Sequence, residues 1–572
     1  MLILGLSPTS HDATACLLDD YRLLAAVSQE RLTRRKSDGG SVPHEAIEEC
    51  LKIAGLRRDQ VDAVVTNRSL FLERYFRHFT GYRWAKARMR RALGIEKQKY
   101  FDAECCHYKR TDALAMFDAA AFLADHGFRA DCDLSFTNHH LAHALPCIFH
   151  TDWPEALIYT ADGIGDNTQY SVRLYRDGKL ETLFGGDERL LAPRKIDGLG
   201  EAYGMATSAL GFIRNRHEGK LTGLAAYGKP VLYEAMAAHF IVDDQGLIDS
   251  DFTDYAAMER FIAAACRSVS REDAAASIQL LLENFILKAV GRILTLHPRR
   301  FLGLAGGVFA NVRLNQRLAE ELPVEEIFVF PAMGDQGQPY GCVLEFLLRR
   351  DGMETWLSHR QRMQTLYYGR DFGTDIDERF LQDPAFRQIA TTPVETASEL
   401  LQQGRIVAIY SKAMEYGPRA LGARSIMAAP VKAEINQTLN DRLSRSEFMP
   451  FAPVVMDEDA DAIFDLGRAK RYAARFMTIT CRVKDGWRER IPAVVHVDGT
   501  ARPQIVERPQ NPLYYDIIAA YKARTGLPVL VNTSFNVHEE PIINSPDECA
   551  RALADKRIDF VVTERGVYGL AG

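Results

Sequence analysis

Two stretches of this chain share one layout, and that duplication limits the possible folds more than any other feature. Leu2–Ser7 is an apolar run that reads as a strand. Pro8-Thr9-Ser10-His11-Asp12 follows as a polar turn, residues 13–18 as a second strand, Asp19-Asp20 as a turn and Arg22–Ser28 as a third strand. Residues 156–161, 162–167, Thr168–Arg176, Asp177-Gly178 and Lys179–Phe184 repeat that order. Each stretch is a three-strand meander whose first strand ends on a polar turn. A repeated unit of this kind predicts two related lobes facing each other across a cleft. Chance likeness of two meanders is the competing explanation.

Nucleotide-binding folds of the actin, sugar-kinase and heat-shock-chaperone type are built on this plan, and the residues at the turns fit it. In Asn138-His139-His140-Leu141-Ala142-His143-Ala144, His139 and His143 are four residues apart. On a helix that separates them by only about 40°, so both imidazoles reach one ion. His140 is turned off their shared face. The apolar run 156–161 ends on Asp162-Gly163-Ile164-Gly165-Asp166, a carboxylate on a glycine turn whose amides are open to phosphate. A metal and a nucleotide in one pocket is the leading reading. Taken alone, a histidine pair on a helix is more often structural than ligating, and each of these glycines alone is an ordinary turn glycine.

Composition excludes little. At 572 residues, 47% hydrophobic and 26% charged, with a net charge of −6, the chain has ample core for three or four compact units and no bulk charge favouring nucleic acid or membrane. The N-terminus lacks the basic start and long apolar run of a signal peptide, and no uncharged apolar stretch is long enough to span a bilayer. The 10 cysteines form no C-x-x-C pair; only Cys105 and Cys106 are adjacent, as ordinary residues of a partly buried helix. That pattern argues against structural zinc and for a reducing cytoplasmic setting. Between the meanders lies an insertion, residues 68–110, rich in arginine and lysine interleaved with Tyr75, Phe76, Phe79, Tyr82 and Trp84. It reads as an amphipathic helix with a solvated basic face; grip on a phosphorylated or nucleic-acid partner, or a wall of an acceptor pocket, is the alternative. Residues 273–296 have helical periodicity and lead into strand 301–304 and the loop Ala305-Gly306-Gly307-Val308. Residues 350–375 are polar and irregular, a candidate linker, and a separate unit begins beyond them with strand 406–410.

Nine motifs in order carry a specific resemblance. The two above are followed by Glu218-Gly219-Lys220-Leu221-Thr222-Gly223, Gly306-Gly307-Val308, Gly334-Asp335-Gln336-Gly337 and Gly417-Pro418-Arg419-Ala420-Leu421-Gly422-Ala423-Arg424-Ser425. Pro450-Phe451-Ala452-Pro453, Thr500-Ala501-Arg502-Pro503-Gln504 and Asn532-Thr533-Ser534-Phe535-Asn536 complete the series. Over nearly its whole length the chain resembles the O-carbamoyltransferases that decorate nodulation factors, aminoglycosides and other natural products. The resemblance implies a mixed α/β (α+β) protein. Residues 1–355 are expected to form an actin-like, duplicated ASKHA/TsaD-like domain with an inserted helical segment at about 68–130, and residues 356–572 a YrdC-like α/β domain. Carbamoyl phosphate and ATP, with Mg, would yield carbamoyl adenylate in the second domain. The first would then pass the carbamoyl group to a hydroxylated small-molecule acceptor at a metal site.

Residue by residue, His139, His143, Asp162 and Asp335 are the expected metal ligands. The imidazoles suit Fe(II) or Zn(II) better than Mg(II), and the resemblance favours iron. Gly163, Gly165, Lys220, Gly306, Gly307 and Asn311 are expected at the adenylate, although Lys220 pairs equally well with Glu218. Arg419 and Arg424, five apart across a Gly-Pro turn, offer rigid forks to phosphate oxygens, with Arg445, Arg502, Asn532 and Ser534 beside them. A surface ion pair is the plain alternative for any one arginine. His11, next to Asp12, is the candidate general base for the acceptor hydroxyl or a group that orients it. The chain departs from the resemblance at Leu443, where the pattern has lysine, and at Ser446, where it has glutamate; Arg442 or Lys412 are the candidate substitutes. A tRNA threonylcarbamoyl-type transferase and a catalytically weakened nucleotide-binding regulator are the competing functions. No membrane or nucleic-acid partner is expected, and a homodimer is one open oligomeric state.

Overall fold

The computed structural model describes residues 1–445 and 450–571, so Ser446 lies outside the described residues. Strands β1 (Leu2–Ser7), β2 (Thr14–Asp19), β3 (Arg22–Ser28), β4 (Ala63–Asn67) and β5 (Asp133–Thr137) form one sheet in the order β3-β2-β1-β4-β5. Strands β6 (Glu155–Gly165), β7 (Thr168–Arg176), β8 (Lys179–Phe184), β9 (Phe301–Ala305) and β10 (Glu326–Val329) form a second in the order β8-β7-β6-β9-β10. Both are an antiparallel meander followed by two parallel strands. The duplicated meanders therefore sit at equivalent places in two sheets of one topology, which is the actin-like plan. One detail differs: the first strand of the second repeat runs on through the expected turn to Gly165, leaving Asp166 and Asn167 as the turn.

Two helices lock the lobes together. His139–Phe149 follows β5 of the first sheet but packs on β6 and β9 of the second. Gln338–Ser358 follows β10 of the second sheet and packs on β1 and β4 of the first. They cross backbone to backbone, since a side-chain carbon on Gly341 would stand 1.7 Å from the Ala142 carbonyl oxygen. Only glycine admits that approach, and the crossing brings the N-terminal ends of both helices to the cleft. Outside the second sheet, Arg271–Leu296 is apolar and long enough by composition to cross a membrane, but 72% of its most apolar window is buried against the protein. Its Ile278, Leu281, Phe285 and Val290 belong to the core.

The inserted segment folds as the hairpin Leu70–Leu72 with Gln98–Tyr100 and several short helices, packed through Phe71, Phe101, Phe117 and Phe122. Its helix Gly81–Ala92 buries no residue. Arg83 and Arg90 turn inward to Glu104 and Glu73, while Trp84, Arg88 and Met89 face outward. Cys105 is buried and Cys106 half-buried in the helix Phe101–Tyr108, and all ten cysteines are free thiols.

The expected linker at 350–375 is corrected. The helix continues to Ser358 across a break at Gly352, Trp356 is fully buried, and Met363 and Leu366 are buried beyond it. These spaced apolar side chains anchor a segment whose polar majority reads as loose. Beyond it, eight strands form one mixed sheet: β11 (Phe386–Ala390), β12 (Val407–Tyr410), β13 (Arg424–Ala428), β14 (Ala452–Met456), β15 (Gln504–Val506), β16 (Val529–Ser534), β17 (Phe560–Val562) and β18 (Val567–Leu570). Their order is β11-β18-β17-β12-β13-β16-β14-β15. The two regions share packing, with the helix Gly467–Ala474 lying on β10 and the Tyr472 hydroxyl donating to the His150 carbonyl at 2.7 Å.

Candidate active site

Asn138 caps the helix that follows, its side chain accepting the Leu141 N–H at 2.9 Å, so His139 is the first helical residue and His143 stands one turn on. Asp162, on β6, and Asp335, after β10, meet these imidazoles from the second lobe. His143 Nε2 lies 3.0 Å from Asp162 Oδ2 and 3.6 Å from Asp335 Oδ1; His139 Nε2 lies 3.6 and 3.7 Å from the same oxygens. All four donor atoms fall within 4.8 Å of one another. Burial works against a charged His143, but Asp162 and Asp335 outweigh it and carry it up to about 9. Burial likewise opposes an ionised Asp162, yet His139 and His143 hold it well below the usual carboxylate range. Two carboxylates with two imidazoles in a buried cluster are a donor set that fits a divalent transition metal. His140 turns away: Nε2 donates to the Thr168 carbonyl at 3.2 Å and Nδ1 accepts from Thr160 Oγ1 at 2.8 Å.

Neighbouring residues set the first histidine. Asp166 Oδ2 accepts the His139 N–H at 2.8 Å, and Arg68 reaches both Asp166, at 3.5 Å, and Asp187, at 2.8 Å. A side-chain carbon on Gly165 would stand 2.1 Å from His139 Cγ. Gly165, expected at a phosphate, therefore has a packing duty that the motif did not reveal.

The cluster opens into a cavity of about 750 Å³. His139, Asp162, Asp335, His11 and Asp12 form part of its wall, with Gly163, Gly165, Gly307 and Asn311. Gly417, Pro418 and Arg419 join the wall from the C-terminal region. Buried Arg31 ties the two parts, donating to Glu30 at 2.7 Å and to the Gly417 carbonyl at 2.9 Å. His11 Nδ1 is 2.9 Å from Asp12 Oδ2. Burial disfavours its cation, but the Asp12 hydrogen bond, then the charges of Asp335, Asp12 and Asp162, push it up to about 9. Two of those three carboxylates belong to the quartet, so the charge on the cluster adds to the Asp12 hydrogen bond in raising the proton affinity of His11.

Two expected adenylate residues, Lys220 and Gly306, lie off the cavity wall. Lys220 is buried on the helix Glu218–Leu224 and outside the cavity wall, its Nζ 3.4 Å from His538 Nε2. Gly306 has φ +99°, and a side chain there would strike the Ala161 carbonyl, so the turn itself requires it. Asn311 reaches the wall, but its side chain caps the helix Val312–Glu321 and exchanges hydrogen bonds with Gln279 at 2.9 and 3.1 Å.

The expected Arg419–Arg424 pair is divided. Arg419 faces the cavity, whereas Arg424 is fully buried on β13. Arg424 Nη1 donates to the carbonyls of Ser411, Lys412 and Ala423 at 2.8, 3.2 and 3.0 Å. Its guanidinium lies 3.7 Å over the Tyr410 ring, and its Nε and Nη2 meet no protein acceptor. Strand pairing sets Ser425 opposite Ser534 and Met427 opposite Asn532. Arg445 donates to Thr533 Oγ1 at 2.7 Å, Ser534 Oγ at 3.0 Å and Asn536 Oδ1 at 2.8 Å. Asn532 Nδ2 donates to Gln504 Oε1 at 2.7 Å, and its Oδ1 is buried without a donor. Arg502 is half-buried, just after the short strand Thr500–Ala501. Leu443 is buried, Arg442 pairs with Asp559 at 2.8 Å and Lys412 lies 3.8 Å from Glu564.

Sequence reasoning missed Lys36 and Gln338. Lys36 lines the cavity, where burial lowers its proton affinity; no spacing links it to another motif. Gln338 stands among the quartet, and its position three residues after Asp335, about one helical turn, was the available signal.

Comparison with known proteins agrees with this architecture. Residues 2–344 match the carbamoyltransferase N-terminus and residues 398–568 the carbamoyltransferase C-terminus. The chain belongs to the carbamoyltransferase family, and it is a transferase enzyme. It is similar to nodulation protein NolNO of Sinorhizobium fredii, 29% identical over 572 aligned positions that cover 96% of this chain and 78% of that one. An uncharacterized protein of Synechocystis sp. is 30% identical, over 99% of this chain and 96% of its own length. An uncharacterized protein of Methanocaldococcus jannaschii is 31% identical, over 76% and 73%.

Proposed function

We propose that this carbamoyltransferase is an ATP-dependent O-carbamoyltransferase acting in two stages. The residues around Arg424, Arg445, Arg502, Asn532 and Ser534 bind carbamoyl phosphate and ATP; water releases the phosphate of the first as inorganic phosphate, and the carbamate so formed attacks the α-phosphorus of ATP to give carbamoyl adenylate with loss of pyrophosphate. The adenylate is then used in the N-terminal cavity, where a hydroxyl of a small natural product takes the carbamoyl group and AMP leaves. The observation that carries this reading is one cavity wall holding His11, three of the four cluster donors (His139, Asp162 and Asp335) and Arg419 of the C-terminal region together.

His139, His143, Asp162 and Asp335 would hold a divalent metal, with iron the first candidate, and a bound ion supplies Lewis acidity toward a carbonyl or phosphoryl oxygen. The remaining work falls to the protein's own groups. Arg419 neutralises phosphate charge on the wall, and Asp12 orients His11 through the 2.9 Å hydrogen bond. A cation on the cluster would offset the Asp335 and Asp162 charges that favour protonated His11, and His11 in its neutral form then takes the acceptor's proton as its oxygen attacks the carbamoyl carbon; Arg31, joining Glu30 to Gly417, holds the two regions around the cavity.

Incubating the full chain with carbamoyl phosphate and ATP tests the first stage through pyrophosphate release; a folded protein that releases none is a binding module rather than this enzyme. Mass spectrometry of hydroxylated metabolites added to the same mixture tests the second. The outward Trp84, Arg88 and Met89 of the inserted helix favour one rival acceptor, a tRNA. Threonylcarbamoyl transfer to tRNA, with no carbamoylated small molecule, replaces the proposal.

A further inference from the structure

The helix Gly81–Ala92 of the inserted segment is amphipathic in the reverse sense. A surface helix ordinarily buries its apolar stripe and leaves the charged one in water. Here the half-buried residues are Arg83, Ala87 and Arg90, which share one face at 100° per residue. Arg83 docks on Glu104 and Arg90 on Glu73, each at 2.7 Å, and both carboxylates are buried. The outer side carries Tyr82, Ala85 and Met89, and Leu93 follows at the helix end; all four are exposed. Eight of the twenty exposed large apolar side chains among the described residues fall between Phe79 and Leu114. They form a local concentration rather than scattered singles.

Cations border the apolar stripe. Lys86 lies along one edge, Arg88 and Arg91 along the other, and all three are exposed. From Arg77 to Ile95 there are six lysines and arginines and no aspartate or glutamate, in a chain whose net charge is −6. An apolar stripe edged by cations is the pattern of a helix lying in the plane of a bilayer, with its apolar side among acyl chains and its cations at anionic headgroups. Neither rival occupant matches both parts. A second copy related by a twofold axis would set these arginines against their own equivalents. Nucleic acid would satisfy the cations but press Met89 and Leu93 against phosphates.

The helix packs on residues Glu73–Tyr75, directly after the strand Leu70–Leu72, whose partner strand ends at Tyr100. Tyr100 is exposed and lines the cavity together with Asp102 and Ala103. We propose that Gly81–Ala92 seats the protein on an anionic lipid bilayer, with the mouth of the cavity beside the lipid surface.

The test mixes the full chain with vesicles of phosphatidylcholine containing about 30% phosphatidylserine, or with phosphatidylcholine alone, and reads co-sedimentation and tryptophan emission. Trp84 is exposed, whereas Trp153 and Trp356 are buried and Trp487 is half-buried. A blue shift on mixing therefore reports Trp84, and Trp84→Phe is expected to remove it. Wild type is expected to bind the anionic vesicles at least tenfold more tightly than the neutral ones and to leave them at high salt. Replacing Lys86, Arg88 and Arg91 together with Gln is expected to weaken binding at least tenfold, since each cation near such a surface is worth about fivefold. Met89→Gln with Leu93→Gln is expected to weaken it comparably and to abolish the blue shift. Circular dichroism confirms that each variant is folded. A wild type that ignores anionic vesicles overturns the proposal, as does undiminished binding in both variants. Retardation of tRNA without vesicle binding assigns the helix to nucleic acid. A dimer that Met89→Gln with Leu93→Gln dissolves, again without vesicle binding, assigns it to a second copy; either result replaces the bilayer.

Discussion

Substituting Gly165 with alanine separates its packing duty from the phosphate role its motif suggests. The added carbon falls 2.1, 2.3 and 2.4 Å from His139 Cγ, Cδ2 and Nδ1. Carbon contacts are comfortable near 3.5 Å, so ring and strand must part by roughly 1.4 Å. The ring has little room, because the His139 amide is fixed to Asp166 at 2.8 Å and its other face meets Gln338. Overpacking of this kind costs about 1–3 kcal/mol of stability. Misplacement of a catalytic group by about 1 Å costs on the order of 10²-fold in rate. Gly165→Ala is therefore expected to lose about 10²-fold in carbamoyl transfer and to bind metal more weakly, with pyrophosphate release from ATP and carbamoyl phosphate unchanged. Both half-reactions are measured on one preparation, with thermal melting to confirm the fold. A variant with wild-type transfer and metal content refutes the steric argument.

His11→Asn keeps size and polarity but removes the basic nitrogen pair; transfer should fall at least 10²-fold with adenylate formation intact, and equal loss of both half-reactions counts against the base assignment. Arg419→Met should raise the KM for presynthesised carbamoyl adenylate about tenfold or more, the value of a charged hydrogen bond, without slowing pyrophosphate release. The opposite pattern would return Arg419 to the C-terminal chemistry. His150 is fully buried and desolvation holds it down at about 4, so the folded protein binds fewer protons than the unfolded chain between pH 4 and 6.5. Its stabilising contribution is complete above 6.5 and is lost as pH falls toward 4, on the order of 3 kcal/mol in all. Denaturant melts across that range should show the loss and a shallower slope in His150→Asn; parallel slopes refute it.

Much of the cleft was legible in the chain because its signals are local. The two meanders carry their own turns, the four-residue spacing of His139 and His143 is a property of one helix, and Asp162 stands where an apolar strand reaches polar residues. The trailing segment 350–375 misled because its anchors, Trp356, Met363 and Leu366, are few among polar neighbours, and their burial depends on surfaces contributed by distant elements.

From sequence alone came the duplicated sheet plan, the imidazole pair and the family, all fixed by spacing and order along the backbone. Tertiary packing decided which groups share a wall. It put Arg419 and His11 on one cavity wall, sent Arg424 into the core over Tyr410, moved Lys220 out of the cavity toward His538 and set Gln338 among the four donors. Those outcomes depend on how two helices cross at Gly341 and how a loop from the second region closes on Arg31. Contacts between residues hundreds of positions apart leave no periodic trace in the residues that make them.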